Sequence, residues 1–199
     1  MEERKKIAVI GAGAAGLMAA LAAAEAGAAV TIYEKMGRPG RKIGITGKGR
    51  CNVTHVGDRE RFLKNMVGNG KFLYSAWNAL DNDALREILR SAGVETKEER
   101  GGRVFPVSEK AADVVAAFEH TLRRLGVVFR LKTPVQELWQ EDERLCGVTL
   151  TDGRREKADA VILATGGASY PGTGSTGDGY RRAEAAGPAR SPLQPALVS

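Results

Sequence analysis

Residues 7–34 constrain this chain more than any other stretch. An apolar run, Ile7 to Ile10, leads into Gly11, Gly13 and Gly16, then an alanine-rich segment and a second apolar run that ends in Glu34. This is the spacing of a strand-turn-helix-strand unit that holds the adenosine diphosphate part of a dinucleotide, and it needs three glycines for three reasons. Gly11 permits the tight turn, Gly13 lets the backbone approach a pyrophosphate, and Gly16 lets helix and strand pack closely. The N–H groups of a helix starting near Ala14 and Ala15 would receive the phosphates, favoured by the positive end of the helix. Glu34 stands 18 residues beyond Gly16, close to the roughly 20 expected of the carboxylate that takes the ribose hydroxyls. Its charge argues against a 2'-phosphate there.

The glycine pattern alone is weak, and the chain shows this with a second copy at Gly172, Gly174 and Gly177. That copy follows Pro171 with no apolar strand directly before it, and no acidic residue follows Glu184, so it reads as a glycine loop.

After Glu34 apolar periodicity gives way to a basic, glycine-rich stretch. Lys35, Arg38, Arg41, Lys42, Lys48 and Arg50 fall between residues 35 and 54 with no carboxylate among them. Five glycines between residues 35 and 52 leave the backbone free to pass close to a ligand, and the cations, Thr46 and Asn52 offer donors to phosphate or carbonyl oxygens. Gly44 and Gly49 have the spacing of a P-loop, but Arg50-Cys51 replaces the required Lys-Ser/Thr and no strand leads in. A solvated basic loop is the competing reading. The overall charge of +6 permits an anionic ligand or nucleic acid without requiring either. Cys51 and Cys146 give no disulfide framework or zinc spacing, which suits a reducing cytoplasm. The cations around Cys51 allow a lowered thiol pKa, yet without a partner cysteine nearby a structural role is favoured. Arg4, Lys5 and Lys6 precede 18 uncharged residues, but glycines interrupt that run and Glu25 ends it, so a secretory or membrane segment is not expected.

The rest of the chain extends an α/β plan. Residues 58–100 read as mostly helical, with Asp81 or Asp83 capping a helix that stops at Gly93. Phe62, Phe72, Tyr74 and Trp77 read as core. Ser108 should cap a helix over 109–125, with His120 off its apolar stripe. Strands are expected at 127–131, 135–140 and 144–151, with Asp152-Gly153 as a turn. Ala160 to Ala164 should be a buried parallel strand ending in Thr165-Gly166-Gly167, at the edge where open α/β sheets bind ligands. A short helix over 179–187 and an extended exit through Pro188, Pro192 and Pro195 complete the reading.

Three further motifs join the fingerprint: residues 40–54 (G-R-K-I-G-I-T-G-K-G-R-C-N-V-T), residues 102–114 (G-R-V-F-P-V-S-E-K-A-A-D-V) and residues 164–180 (A-T-G-G-A-S-Y-P-G-T-G-S-T-G-D-G-Y). With them the chain resembles the BaiN/YhiN-type family of NAD(P)/FAD-dependent flavoproteins along essentially its whole length. The resemblance implies a Rossmann-like FAD-binding domain over residues 1–190, with a central parallel sheet, a helical insertion at about 58–100 and a three-stranded antiparallel excursion at about 127–157. Residues 191–199 would begin the connection to a second domain. It also implies FAD as cofactor with NAD(P)H as reductant. The site would comprise Gly11, Gly13, Ala14, Ala15, Gly16, Glu34, Lys35, Arg41, Lys42, Thr46, Gly47, Arg50, Cys51 and Asn52, with the Val135 backbone near the adenine and Ala164, Thr165 and Gly166 passing the dinucleotide.

The chain has no late strand ending in Gly-Asp of the kind such flavoproteins use for the ribityl and pyrophosphate region. Gly57-Asp58 and Gly177-Asp178 follow no apolar strand. The expectation is therefore an N-terminal portion with most of the adenosine side of the site, weak FAD affinity and no activity of its own. The implied activity of the full-length enzyme is reduction of a carbon–carbon double bond, in an unsaturated steroid or in uridine of ribosomal RNA. No catalytic acid or base is identifiable. A non-catalytic dinucleotide-binding module and an NAD-dependent dehydrogenase are the alternatives. The Arg41 to Asn52 loop and the excursion have no obvious use in the latter.

Overall fold

The computed structural model describes residues 3–187. The order along the chain is β1 (Lys6–Ile10), α1 (Ala14–Glu25), β2 (Ala29–Tyr33), β3 (Thr54–His55), α2 (Arg59–Lys64), α3 (Tyr74–Ala79), α4 (Asn82–Ser91), β4 (Thr96–Glu99), β5 (Arg103–Pro106), α5 (Ala111–Arg124), β6 (Val128–Arg130), β7 (Val135–Glu141), β8 (Arg144–Leu150), β9 (Arg155–Lys157), β10 (Ala160–Leu163) and α6 (Asp178–Ala185). The described residues divide into two compact units, one made of residues 3–43 and 118–187, the other of Gly44–Ala117. The expected exit through Pro188, Pro192 and Pro195 lies outside the described residues.

The first unit is built on a parallel sheet in the order β10-β1-β2-β6. Ile7 to Ile10 pair with Ala160 to Leu163 on one side and with Val30 to Tyr33 on the other. The strand order reverses at β1, so its C-terminal end opens onto a topological switch point, where sheets of this kind bind ligands. Alternation along β1 sends side chains to both faces, and Ala8, Val9 and Ile10 are all buried. α1 lies against the strands β1, β2 and β10. Its alanines make it apolar all round, and their small size allows the close approach that buries Leu17, Ala20 and Leu21.

β7, β8 and β9 form an antiparallel sheet whose apolar residues Val135, Val148 and Leu150 cluster with Ala8, Ile10 and Tyr33. Each such buried Val or Leu contributes roughly 1.5–3 kcal/mol. The third strand of this excursion is Arg155–Lys157, whereas the strand expected at 127–131 joins the parallel sheet beside β2. Val128–Arg130 follows α5 and meets β2 in parallel, completing a crossover that a hairpin partner could not make. β10 is half-buried rather than fully buried because it is an edge of the sheet.

In the second unit β3, β5 and β4 form a small antiparallel sheet around Val104, Phe105 and Pro106, and Leu89 of α4 is also buried. Asp81 caps α4, accepting from the Ala84 N–H at 2.8 Å. β4 was not expected, because Thr96-Lys97-Glu98-Glu99 has no apolar alternation to announce a strand. Phe62, Phe72 and Tyr74 are exposed, Phe72 at 81%, contrary to the core reading. α2 and α3 have six residues each, too short for an apolar stripe, and the Phe62 and Trp77 rings pack on each other, 4.4 Å between centroids. α5 starts at Ala111 rather than after Ser108, since Glu109 takes a left-handed conformation with φ 56°.

Candidate dinucleotide site

β1 delivers the chain into Gly11 at φ 104°, a conformation that favours glycine. A Cβ there would stand 2.5 Å from the Ala164 carbonyl oxygen, so β1 and β10 approach at this turn with no room for a side chain. Gly16 is tighter still, since a Cβ would meet the Gly11 carbonyl oxygen at 1.9 Å. Gly13 differs from both, because a Cβ built on it meets nothing within 4 Å. The open position lies at the N-cap of α1, where no side chain caps the helix and no acidic residue occupies the first turn. The N–H groups of the first turn have no acceptor within the helix, so the positive end of α1 faces free space at Gly13, Ala14 and Ala15. That space and that polarity fit a pyrophosphate.

Glu34 follows β2 and bridges the turn. One carboxylate oxygen accepts from the Ala12 N–H and the other from the Met36 N–H, each at 2.7 Å. A carboxylate offers about four acceptor positions, so capacity remains for two hydroxyls of a ribose. The Ala164 N–H donates to the Ile10 carbonyl at 2.9 Å, which sets Ala164, Thr165 and Gly166 beside the glycine turn. Val135 is buried, and its carbonyl accepts from Arg182. The structure thus brings Gly11, Gly13, Ala14, Ala15, Gly16, Glu34 and Ala164 to Gly166 together at one sheet edge.

The lysines expected to face phosphate are engaged elsewhere in the same unit. Lys35 Nζ donates to Asp178 at 2.7 Å and to Thr176 at 2.9 Å. Lys42 Nζ donates to Ser175 Oγ at 2.7 Å and to the Ser169 carbonyl at 2.9 Å. Burial opposes the charge of Asp178, but hydrogen bonds from Lys35 and Thr176, and the Lys35 and Arg182 charges, outweigh it and hold its carboxyl well below the usual carboxylate range. Arg41 is half-buried. Asp178 and Ser175 escaped sequence reasoning. A signal existed, since Asp178 is the first carboxylate after Asp159 and stands in a segment rich in hydroxyls.

Thr46, Gly47, Arg50, Cys51 and Asn52 belong to the second unit, where they are tied to its small sheet. The Arg50 guanidinium stacks 4.0 Å from the Phe105 ring centroid and pairs with Glu99 at 2.9 Å and Glu109 at 3.7 Å. A Cβ on Gly47 would lie 2.8 Å from the same ring. With its amide in the orientation that satisfies both ends, Asn52 donates to the Thr54 and Val104 carbonyls at 3.0 and 3.3 Å. Burial pushes the Cys51 thiol pKa up against a hydrogen bond with the Thr46 side chain. The cationic surroundings therefore do not activate it. Lys48 and Cys51 have φ of 58° and 63°, so the backbone here is held in a conformation that residues other than glycine rarely adopt.

Among the described residues no helix is long and apolar enough to cross a membrane, and no group of three or more His, Cys, Asp or Glu could hold a metal ion.

The family described as "HI0933-like protein Rossmann domain" matches residues 5–193. The chain is 37% identical to the 3-dehydro-bile acid delta(4,6)-reductase of Clostridium scindens, an alignment covering 97% of the chain and 46% of that protein. It is 29% identical to the ribosomal RNA dihydrouridine synthase of Escherichia coli, covering 98% and 48% respectively. The chain thus spans about half the length of the curated relatives it matches. In fold it is similar to a flavocytochrome c3 fumarate reductase, with TM-score 0.68 and 24% identity over 94% of this chain and 41% of that one. A 3-ketosteroid-delta4-(5alpha)-dehydrogenase from Rhodococcus jostii superposes with TM-score 0.60 and 19% identity, covering 83% and 46%. With the fingerprint, the parallel sheet and the glycine turn at its switch point in place, the chain belongs to the HI0933-like family, the BaiN/YhiN type of flavoprotein, and carries its Rossmann-like FAD-binding domain.

Proposed function

We propose that this chain supplies the adenosine-side half of the FAD site in an oxidoreductase that uses NAD(P)H to reduce a carbon–carbon double bond. The observation that carries the reading is the open space at Gly13, in a turn whose other two glycines, Gly11 and Gly16, admit no side chain. Gly11, Gly13 and Gly16 with the N–H groups of Ala14 and Ala15 hold the pyrophosphate, Glu34 holds the adenosine ribose, and Ala164, Thr165 and Gly166 wall the dinucleotide. The Val135 backbone supports the adenine. Bound FAD supplies hydride transfer. The chain's own share is to bind and orient the cofactor, with Arg41 and Lys42 towards the flavin side.

The substrate is an unsaturated ring, either of a steroid or of uridine in ribosomal RNA, as the names of the two relatives suggest. A cytoplasmic location fits both. The test uses the full-length enzyme. Its visible spectrum should show flavin bands, and nicotinamide oxidation should accelerate with one of two substrates, an unsaturated 3-oxo steroid or ribosomal RNA lacking dihydrouridine. Colourless protein after incubation with excess FAD sinks the cofactor assignment. A flavin-loaded enzyme that responds to neither substrate sinks the substrate proposal alone.

A further inference from the structure

The second glycine run is not accounted for by the adenosine-side cradle. Residues 169–178 fold into a strap with Tyr170, Gly174 and Gly177 at φ of 55°, 100° and 77°. It is fastened twice to the segment that follows β2. Lys35 reaches Asp178 and Thr176, and Lys42 reaches Ser175 and the Ser169 carbonyl. Ser175 is buried, at 7% exposure. Asp178 also accepts from Thr176 Oγ1 and from Arg181, both at 2.7 Å.

The strap presses on both walls of the cradle. A Cβ on Gly179 would lie 2.2 Å from Thr165 Oγ1, and one on Gly166 would lie 2.7 Å from Ser175 Oγ. On the other side a Cβ on Gly174 would stand 3.3 Å from Met36 Cγ, and the Met36 N–H is one of the two donors that orient Glu34. The backbone that aims Glu34 and the backbone that passes the dinucleotide are therefore packed against one strap.

We propose that Asp178 and Ser175 are positioning residues for the cofactor: they fix Lys35 and Lys42 as struts that brace Glu34 and Thr165-Gly166, and the two lysines act through this bracing rather than as phosphate ligands. The inference deepens the FAD reading and rests on it. It separates cleanly from the alternative, because the two roles of Lys35 predict opposite consequences of removing its partner. If Lys35 is a strut, losing either member of the pair removes the same support. If Lys35 is a phosphate ligand, losing Asp178 frees a cation for the phosphates.

The experiment is a double-mutant cycle on the 199-residue chain, with FAD and ADP affinities read by titration calorimetry at a temperature where circular dichroism shows every variant folded. Lys35→Met and Asp178→Asn should each weaken both ligands by roughly tenfold, and the double variant should be no weaker than either single one, the mark of two residues acting as a unit. The exchanged pair, Lys35→Asp with Asp178→Lys, should recover part of the loss. Asp178→Asn binding FAD as tightly as the parent or more tightly, or additive losses in the double variant, would overturn the inference. If Asp178→Asn does not fold, Ser175→Ala carries the test through the Lys42 limb, where a loss of FAD and ADP affinity is expected and an unchanged affinity overturns the proposal. A parent chain that binds neither ligand defeats the FAD reading and this inference together, whereas binding without coupling defeats this inference alone.

Discussion

Replacing Gly13 or Gly16 with alanine adds one methyl group in each case, three residues apart, and the two should do opposite things. At Gly16 the new Cβ would stand 1.9 Å from the Gly11 carbonyl oxygen, so α1 and the turn must separate. Overpacking of this kind costs roughly 1–3 kcal/mol or more, against which the better helix propensity of alanine returns roughly 1 kcal/mol. A clash with a backbone oxygen at this distance belongs at the upper end of that range, and the resulting net loss of about 2 kcal/mol lowers Tm by roughly 4–8 °C for a chain of this size. At Gly13 the backbone is extended, with φ −79° and ψ −173°, which alanine adopts without strain, and no protein atom lies within 4 Å of the new Cβ. Tm should therefore move by less than about 2 °C, since the poorer N-cap and the stiffer unfolded chain offset one another. The methyl instead occupies the space assigned to the pyrophosphate, and a clash of about 1–3 kcal/mol there is a loss of roughly 5- to 150-fold in FAD affinity. Thermal denaturation and FAD titration of both variants decide the matter. Two equal falls in Tm, or FAD affinity unchanged by Gly13→Ala, would refute the assignment of separate structural and binding roles.

Three more outcomes are expected. Glu34→Gln keeps the shape but sets an amide NH2 against one of two backbone donors, Ala12 or Met36; leaving that pair unsatisfied costs about 1–3 kcal/mol, and FAD titration with a melting curve should show both affinity and Tm falling. Lys48→Gly at φ 58° removes about 1–2 kcal/mol of left-handed strain against roughly 0.4–1 kcal/mol of added unfolded-state entropy, so Tm should rise slightly; a clear fall would show that the Lys48 side chain matters to the loop. The Asp178 carboxyl is depressed below its ordinary value of 3.8, so its contribution is complete above that value and disappears as pH falls through the lower folded value. The Tm difference between the parent and Asp178→Asn should thus be constant near neutrality and shrink below about pH 4, and a difference that grows on acidification would contradict the ion-pair geometry.

How far the sequence discloses this molecule depends on whether the relevant signal is local. The unit from Ile7 to Glu34 is visible because each glycine sits at a fixed offset from an apolar strand and the carboxylate follows at a fixed distance. The cap of α4 is visible to within two residues, as Asp81 or Asp83, for the same reason. The strand at Thr96–Glu99 is not, because it is polar and short and its pairing with Arg103–Pro106 is what makes it a strand. The fate of the cations is hidden too. Lys35 and Lys42 find partners 141–143 and 127–133 residues away, and no spacing rule reaches that far. Arg50 stacks on Phe105 and pairs with Glu99 across a sheet that was itself unforeseen. A basic, glycine-rich loop therefore looked like a set of free phosphate donors when several of its charges hold the fold.

Gly11, Gly13, Gly16 and Glu34 should make this chain recognise the adenosine half of FAD. Titration calorimetry of the 199-residue chain with FAD, ADP and FMN measures this recognition. Binding of FAD, competition by ADP for the same site and failure of FMN to displace FAD are the predicted results. Absence of binding by both FAD and ADP, or displacement of FAD by FMN but not by ADP, would contradict an adenosine-side cradle built from Gly11, Gly13, Gly16 and Glu34.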